Sequence, residues 1–212
     1  VARGEGDEQL TKLFTRVGRI QFMLLMLVLT GFVFVGKPFI CAWGGEEYGA
    51  AYWIALLLIA PVTVPLIQNI GIEIQRAKNM HQFRSKVYFC MAICNALVSI
   101  PLGMKFGGIG CALGTAISMV VGNGFIMNWY YQTHIGLDMR YFWKHILNIV
   151  PAMLPAVALG IIAVRLHTFT GYAGVVTFAV PYAAVYAVGL YLFAMDESEK
   201  NMVRGVMRKI RR

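Results

Sequence analysis

Six stretches of this chain contain no Asp, Glu, Lys, Arg or His: residues 20–36, 48–72, 87–104, 106–133, 146–164 and 168–195. They run 17, 25, 18, 28, 19 and 28 residues and together hold 135 of the 212. A helix crosses the hydrocarbon core of a bilayer with about 20 apolar residues, within a range of roughly 17–25. Each stretch therefore holds one crossing. Only 14% of the chain is charged and 58% is hydrophobic, whereas a soluble domain carries about a quarter charged residues. The pattern excludes a secreted disulfide domain, a cytosolic α/β enzyme and a disordered chain. It predicts an all-α, polytopic membrane bundle of six helices.

The net charge of +9 would suit a nucleic-acid binder if it formed one patch, but it does not. Lys and Arg number four in residues 1–19, four in 73–86, two in 138–145 and six in 196–212. The alternate connections hold Lys37, Lys105 and Arg165, so the division is 16 against 3. Basic connections stay cytoplasmic, which predicts both termini inside and no nucleic-acid partner. Three regions follow: a cytoplasmic amphipathic lead-in over 1–19, the bundle over 20–195, and a basic tail over 196–212. The lead-in places Leu10, Leu13, Phe14 and Val17 on one helical face, as in an elbow lying on the membrane. The tail places Met202, Val203, Val206, Met207 and Ile210 on one face with basic residues elsewhere. That is a helix suited to anionic membrane lipids.

The start of the chain has charges and no apolar core of the signal-peptide kind. Because it begins at Val1, the expectation is that sequence precedes it. Cys41, Cys90, Cys94 and Cys111 read as small hydrophobes rather than as a disulfide framework. Pro61 with Pro65, and Pro151 with Pro155, recur at a spacing of four. Each proline removes a helix hydrogen bond, so both spans are expected to bend or unwind locally, as helices lining transporter cavities do. Gly110, Gly114, Ser118 and Gly122 form a ridge of small residues that predicts close approach of another helix.

No span carries Asp, Glu, Lys, Arg or His, and His81, His134, His145 and His167 all lie in connections or at span ends. Catalytic residues, a metal site and a cofactor are therefore not expected. The polar groups that remain suggest a path for a substrate. Asn69, Glu73 and Arg76 share a face at the inner end of the second span, where Glu73 and Arg76 can instead pair locally. Lys78 adds a cation at the same end. Asn95 lies inside the third span, as an interhelical hydrogen bonder or a substrate contact, and Arg165 closes the fifth at the outer side.

Several short motifs occur in a telling order. They are Gly6-Asp7-Glu8 with Leu10 and Leu13, then Phe39-Ile40 with Trp43, Gly45 and Tyr48. Gln68 and Gly71 lead into Ala77-Lys78-Asn79-Met80. Asn95 and Pro101 precede Gly107-Gly108-Ile109-Gly110-Cys111-Ala112, and Tyr130-Tyr131 precede Gly136-Leu137-Asp138-Met139 and Phe142. In this order they resemble the C-terminal part of polysaccharide flippases, the O-antigen type in particular, of the multidrug/oligosaccharidyl-lipid/polysaccharide exporter superfamily. The resemblance implies a two-lobe transporter in the bacterial inner membrane that moves undecaprenyl-pyrophosphate-linked oligosaccharide for O-antigen, capsule or exopolysaccharide synthesis. This chain would supply most of the second lobe plus two added helices, and its partner would be a missing N-terminal lobe. Two other readings stay open. One is a drug or cation antiporter of the same superfamily. The other is a membrane-embedded glycan polymerase or acyltransferase, which could draw on Lys37, Glu46, Glu47, Arg165 and His167.

Overall fold

The computed structural model describes residues 5–210, with side chains over 6–205. Arg3, Arg211 and Arg212, and the side chains of Val206, Met207, Arg208, Lys209 and Ile210, lie outside the described residues. Helix α1 runs Glu5–Gly44 and a 3-10 turn, Glu46–Ala50, leads into α2, Ala51–Ile67. A short α3, Ile70–Ala77, precedes α4, His81–Met119. Two π-helical stretches, Val120–Met127 and Tyr131–Ile135, flank the three-residue α5, Asn128–Tyr130. Then come α6, Met139–Leu147, α7, Val150–Leu166, α8, Gly171–Phe193, and α9, Glu197–Ile210. Among the described residues, five helical segments are long and apolar enough to cross a membrane.

The longest of these covers 55 residues, His81–Ile135. As one straight helix it would reach about 80 Å, against roughly 30 Å of bilayer hydrocarbon. It folds back instead. Gly107 has φ 60° and ψ −139°, a conformation open to a residue without Cβ, and the two limbs lie side by side. The Ser99 hydroxyl lies 3.3 Å from the Cys111 carbonyl, Thr115 Oγ1 lies 3.3 Å from Asn95 Oδ1, and the Tyr88 hydroxyl donates to Asn123 Oδ1 at 2.8 Å. The small-residue ridge is the reason they fit. Gly110, Gly114, Ser118 and Gly122 are buried, and a Cβ on Gly114 or Gly122 would strike Ser99 or Met91.

Helix α1 is the spine, packed against α2 on one side and α7 and α8 on the other. The lead-in does not form a separate elbow, for α1 continues through residues 19–20. Phe14 is fully buried, its ring 4.7 Å from Phe142 and 5.8 Å from Tyr131. Protein therefore covers Phe14 on the face that the periodicity assigned to the membrane, while Leu13 on the same face stays about half exposed. Neither proline pair interrupts its helix. α2 stays helical through Pro61 and Pro65 and breaks after them at Gln68 and Asn69. Pro151 sits in the first turn of α7, where its missing N–H costs no hydrogen bond.

Two knots close the end of the bundle that carries the basic connections. In the first, Lys78 Nζ reaches Asp7 Oδ1 at 2.6 Å and donates to the Ile135 carbonyl at 2.8 Å, while the Asp138 amide donates to Thr11 Oγ1 at 3.2 Å. Three of the motif segments that are distant in sequence meet here. Gly136, at φ 86°, leaves room for Asp7, whose carboxylate lies 2.8 Å from where a Cβ would stand. In the second knot Arg19 joins Glu199 through two bonds of 2.9 and 3.0 Å. The same guanidinium donates to the carbonyls of His145 and Ala194 at 3.0 and 2.7 Å, satisfying acceptors at the C-terminal ends of α6 and α8. Asp196 Oδ1 accepts the Glu199 amide at 2.8 Å and Glu199 Oε2 accepts the Asp196 amide at 3.0 Å. This reciprocal capping box starts α9.

Candidate functional site

Between α2 and the two limbs of the hairpin lies an open cleft of about 410 Å³. The α2 side contributes Val62, Pro65, Leu66 and Asn69. The first limb contributes Arg84, Tyr88, Met91 and Asn95, whose spacings of 4, 3 and 4 place them on one helical face. The second limb answers with Thr115, Ser118, Met119 and Asn123. Among the lining residues Arg84 carries the one formal charge.

The polar groups are joined. Arg84 donates to the hydroxyls of Tyr88 at 2.7 Å and Tyr131 at 3.1 Å, and its guanidinium stands 4.7 Å from the centre of the Tyr88 ring. Tyr88 passes the network to Asn123. Deeper in, Asn95 Oδ1 accepts from Ser99 at 2.7 Å and lies 3.3 Å from Thr115 Oγ1. The wall behind Asn123 is π-helical, and such segments gather at functional sites. Asn128 supports it by donating from Nδ2 to the carbonyls of Asn123 and Gly124, both at 2.8 Å. Its Oδ1 accepts from Gln68 at 3.0 Å and from Trp143 at 2.9 Å, tying the α2 break and α6 to the same turn. A cleft so lined can exchange hydrogen bonds with a ligand rich in hydroxyls and hold a negative charge beside Arg84.

The residues singled out by sequence divide. Asn69 and Asn95 come together in the cleft. Glu73 and Arg76 pair with each other at 2.9 Å on the exposed surface of α3, both about two-thirds exposed. Lys78 is committed to Asp7, and Arg165 is exposed in the last turn of α7. Sequence reasoning named Arg84 with Arg76, Lys78 and Lys86 as inner-end cations that could attract an anionic head group, but did not assign Tyr88, Thr115, Ser118 or Asn123 to a site. The 84-88-91-95 spacing was the available signal, but only the hairpin shows that the face meets Asn123 rather than lipid. Among the described residues no group of three or more His, Cys, Asp or Glu is placed to hold a metal ion. Compared with protein families, with curated proteins and with solved structures, the chain finds no match.

Proposed function

We propose that the chain crosses a bacterial inner membrane six times with both ends inside, and forms the C-terminal part of a transporter for lipid-linked oligosaccharide. The observation that carries this reading is the cleft. Its hydroxyl and amide groups lie between helices whose other faces are apolar, with the Arg84 guanidinium at the end that carries the basic connections, and polar groups at membrane depth are costly unless used. A pyrophosphate-linked glycan cannot cross hydrocarbon unaided, and a groove of amide and hydroxyl groups with one cation matches its head while the lipid tail stays outside. The sixth crossing comes from dividing the 55-residue segment at its Gly107 reversal. The orientation comes from the 16-to-3 division of Lys and Arg. The hairpin's outer flank, left largely uncovered by this chain, supports a place for the rest of a larger two-lobe protein.

Two experiments test this. Single cysteines near Trp43 and His167 should label from outside, and those near Lys78 and Asp138 should not; the reverse pattern overturns the orientation. Asn95→Leu and Arg84→Ala, each in the full-length protein, should reduce surface glycan in cells that depend on it for export. Undiminished export removes the cleft from the mechanism, and cleavage or polymerisation of the lipid-linked glycan by purified protein overturns transport itself.

A further inference from the structure

A second cavity, of about 520 Å³, opens at the Arg19 knot, between α1, α6 and the junction of α8 with α9. Lys12, Arg16 and Arg19 line it from α1, His145 and Asn148 from the α6 side, and Asp196 from the junction. We infer that this cavity binds the headgroup of an anionic phospholipid. The inference rests on the membrane-crossing reading and does not depend on transport.

Depth is the first argument. Arg19 is the last charge before the 20–36 run, His145 the last before 146–164, and Asp196 the first after 168–195. Three spans reach the membrane boundary around one cavity, at the level of lipid phosphates. The surface beside it is apolar and open, with Leu192 at 61% and Phe193 at 73% exposed, which suits acyl chains. Basic pockets between spanning helices are where anionic lipid headgroups bind.

Chemistry is the second. The Arg19 guanidinium is already committed to Glu199 and two carbonyls, so it frames the cavity without supplying its attraction. Arg16 contacts Met202 sulfur at 3.9 Å, a weak interaction that leaves its charge available to a phosphate. Asp196 keeps its negative charge on the lining, offset in part by the Ser198 hydroxyl and the Glu199 amide, from which its Oδ1 accepts at 2.8 Å each. The most telling group is Thr15. It lines the cavity, is 3% exposed, and its hydroxyl oxygen is buried without a hydrogen-bond partner. A buried hydroxyl without a partner is unfavourable, and turning the Thr15 side chain toward the cavity would let a phosphate oxygen supply one.

The phosphate could come from a lipid or from solution, and the test separates them. Purified full-length protein in neutral detergent is titrated with dioctanoyl phosphatidylglycerol, with dioctanoyl phosphatidylcholine and with inorganic phosphate. Bound lipid is read by native mass spectrometry, and stability by thermal melting. Phosphatidylglycerol should bind preferentially and raise the melting temperature. Arg16→Gln should weaken it about five-fold, the scale of one basic contact to an anionic lipid, and Arg165→Gln should not. Thr15→Val should keep or raise the melting temperature of the lipid-free protein and still weaken phosphatidylglycerol binding, which a purely structural threonine would not do. Equal binding of the two lipids, an equal loss in Arg165→Gln, or unchanged affinity in either Arg16→Gln or Thr15→Val overturns the proposal. Stabilisation by inorganic phosphate alone, at the level given by phosphatidylglycerol, would also overturn it in favour of a free-anion site.

Discussion

The α4 hairpin and the α7–α8 pair are both apolar and helical, yet the bundle treats them in opposite ways. In the most apolar stretch of His81–Ile135 6% of residues are buried, against 33% in Met139–Leu166 and 28% in Gly171–Phe193. The α7–α8 pair is locked together and to α1 by close contacts. Gly160 seats the Phe34 ring, 2.5 Å from where a Cβ would stand, and Gly189 seats the Ala152 carbonyl at 2.6 Å. Phe34 meets Phe178 and Tyr182 at 5.8 and 5.7 Å, and the Tyr186 hydroxyl donates to the Met23 carbonyl at 2.8 Å. The hairpin uses its small residues on itself. It meets the remainder of the chain chiefly at α2, across a cleft lined with polar groups. Hydropathy does not separate the packed pair from the cleft-lining hairpin here. What separates them is where glycine permits contact and where amides and hydroxyls line a gap.

The largest expected effect tests the scaffold. Arg19→Ala would leave Glu199, whose side chain is 3% exposed, buried without its partner. Removing one member of a buried pair costs roughly 3–5 kcal/mol. The melting temperature in detergent should fall sharply, and α9 should become sensitive to protease. Arg84→Ala, in the cleft, should cost far less. If the two variants melt alike, the hairpin is as much scaffold as α8.

Packing comes next. Gly189→Ala would push a methyl into the Ala152 carbonyl, and overpacking of this kind costs about 1–3 kcal/mol, read as a lower melting temperature. Gly114→Leu would force the hairpin limbs apart and lower folded yield. An unchanged yield would mean that the limbs do not need the ridge.

Asn95→Leu sharpens the contrast. Interhelical hydrogen bonds within membranes are worth about 0.6 kcal/mol on average, so stability should hardly move while export falls. A large loss of stability with export per folded molecule unchanged would make Asn95 a packing residue.

Acid gives the smallest effect. Burial disfavours the charge of Asp196, but the Glu199 amide, the Ser198 hydroxyl and the Arg19 charge outweigh it and hold the carboxyl below its ordinary value. A lowered folded pKa contributes stability above the unfolded value of about 4, and that contribution is lost as pH falls through the folded one. The cap of α9 should therefore loosen below about pH 4, and Asp196→Asn should remove that pH dependence. Hydrogen exchange at the Glu199 and Lys200 amides would report it, and a cap equally protected at pH 3 and pH 7 would contradict the assignment.

Composition and periodicity alone determined that this chain is helical and made of membrane-length segments, because bilayer thickness sets a length that can be counted along a sequence. The Gly110–Gly122 ridge was legible for the same reason, since a spacing of four places its members on one helix face whatever surrounds them. Asn69 and Asn95 could be chosen because amides at membrane depth are conspicuous. Their convergence with Arg84 and Asn123 could not be chosen, because it depends on the reversal at Gly107 bringing residue 88 to residue 123. The lead-in illustrates the same limit. Its apolar face was visible, but a membrane surface and the ring of Phe142 are equally acceptable to Phe14. The fates of the cations were hidden too. Lys78 finds Asp7 across 71 residues and Arg19 finds Glu199 across 180. A charge is written in the sequence, whereas its partner is decided by where the helix ends meet.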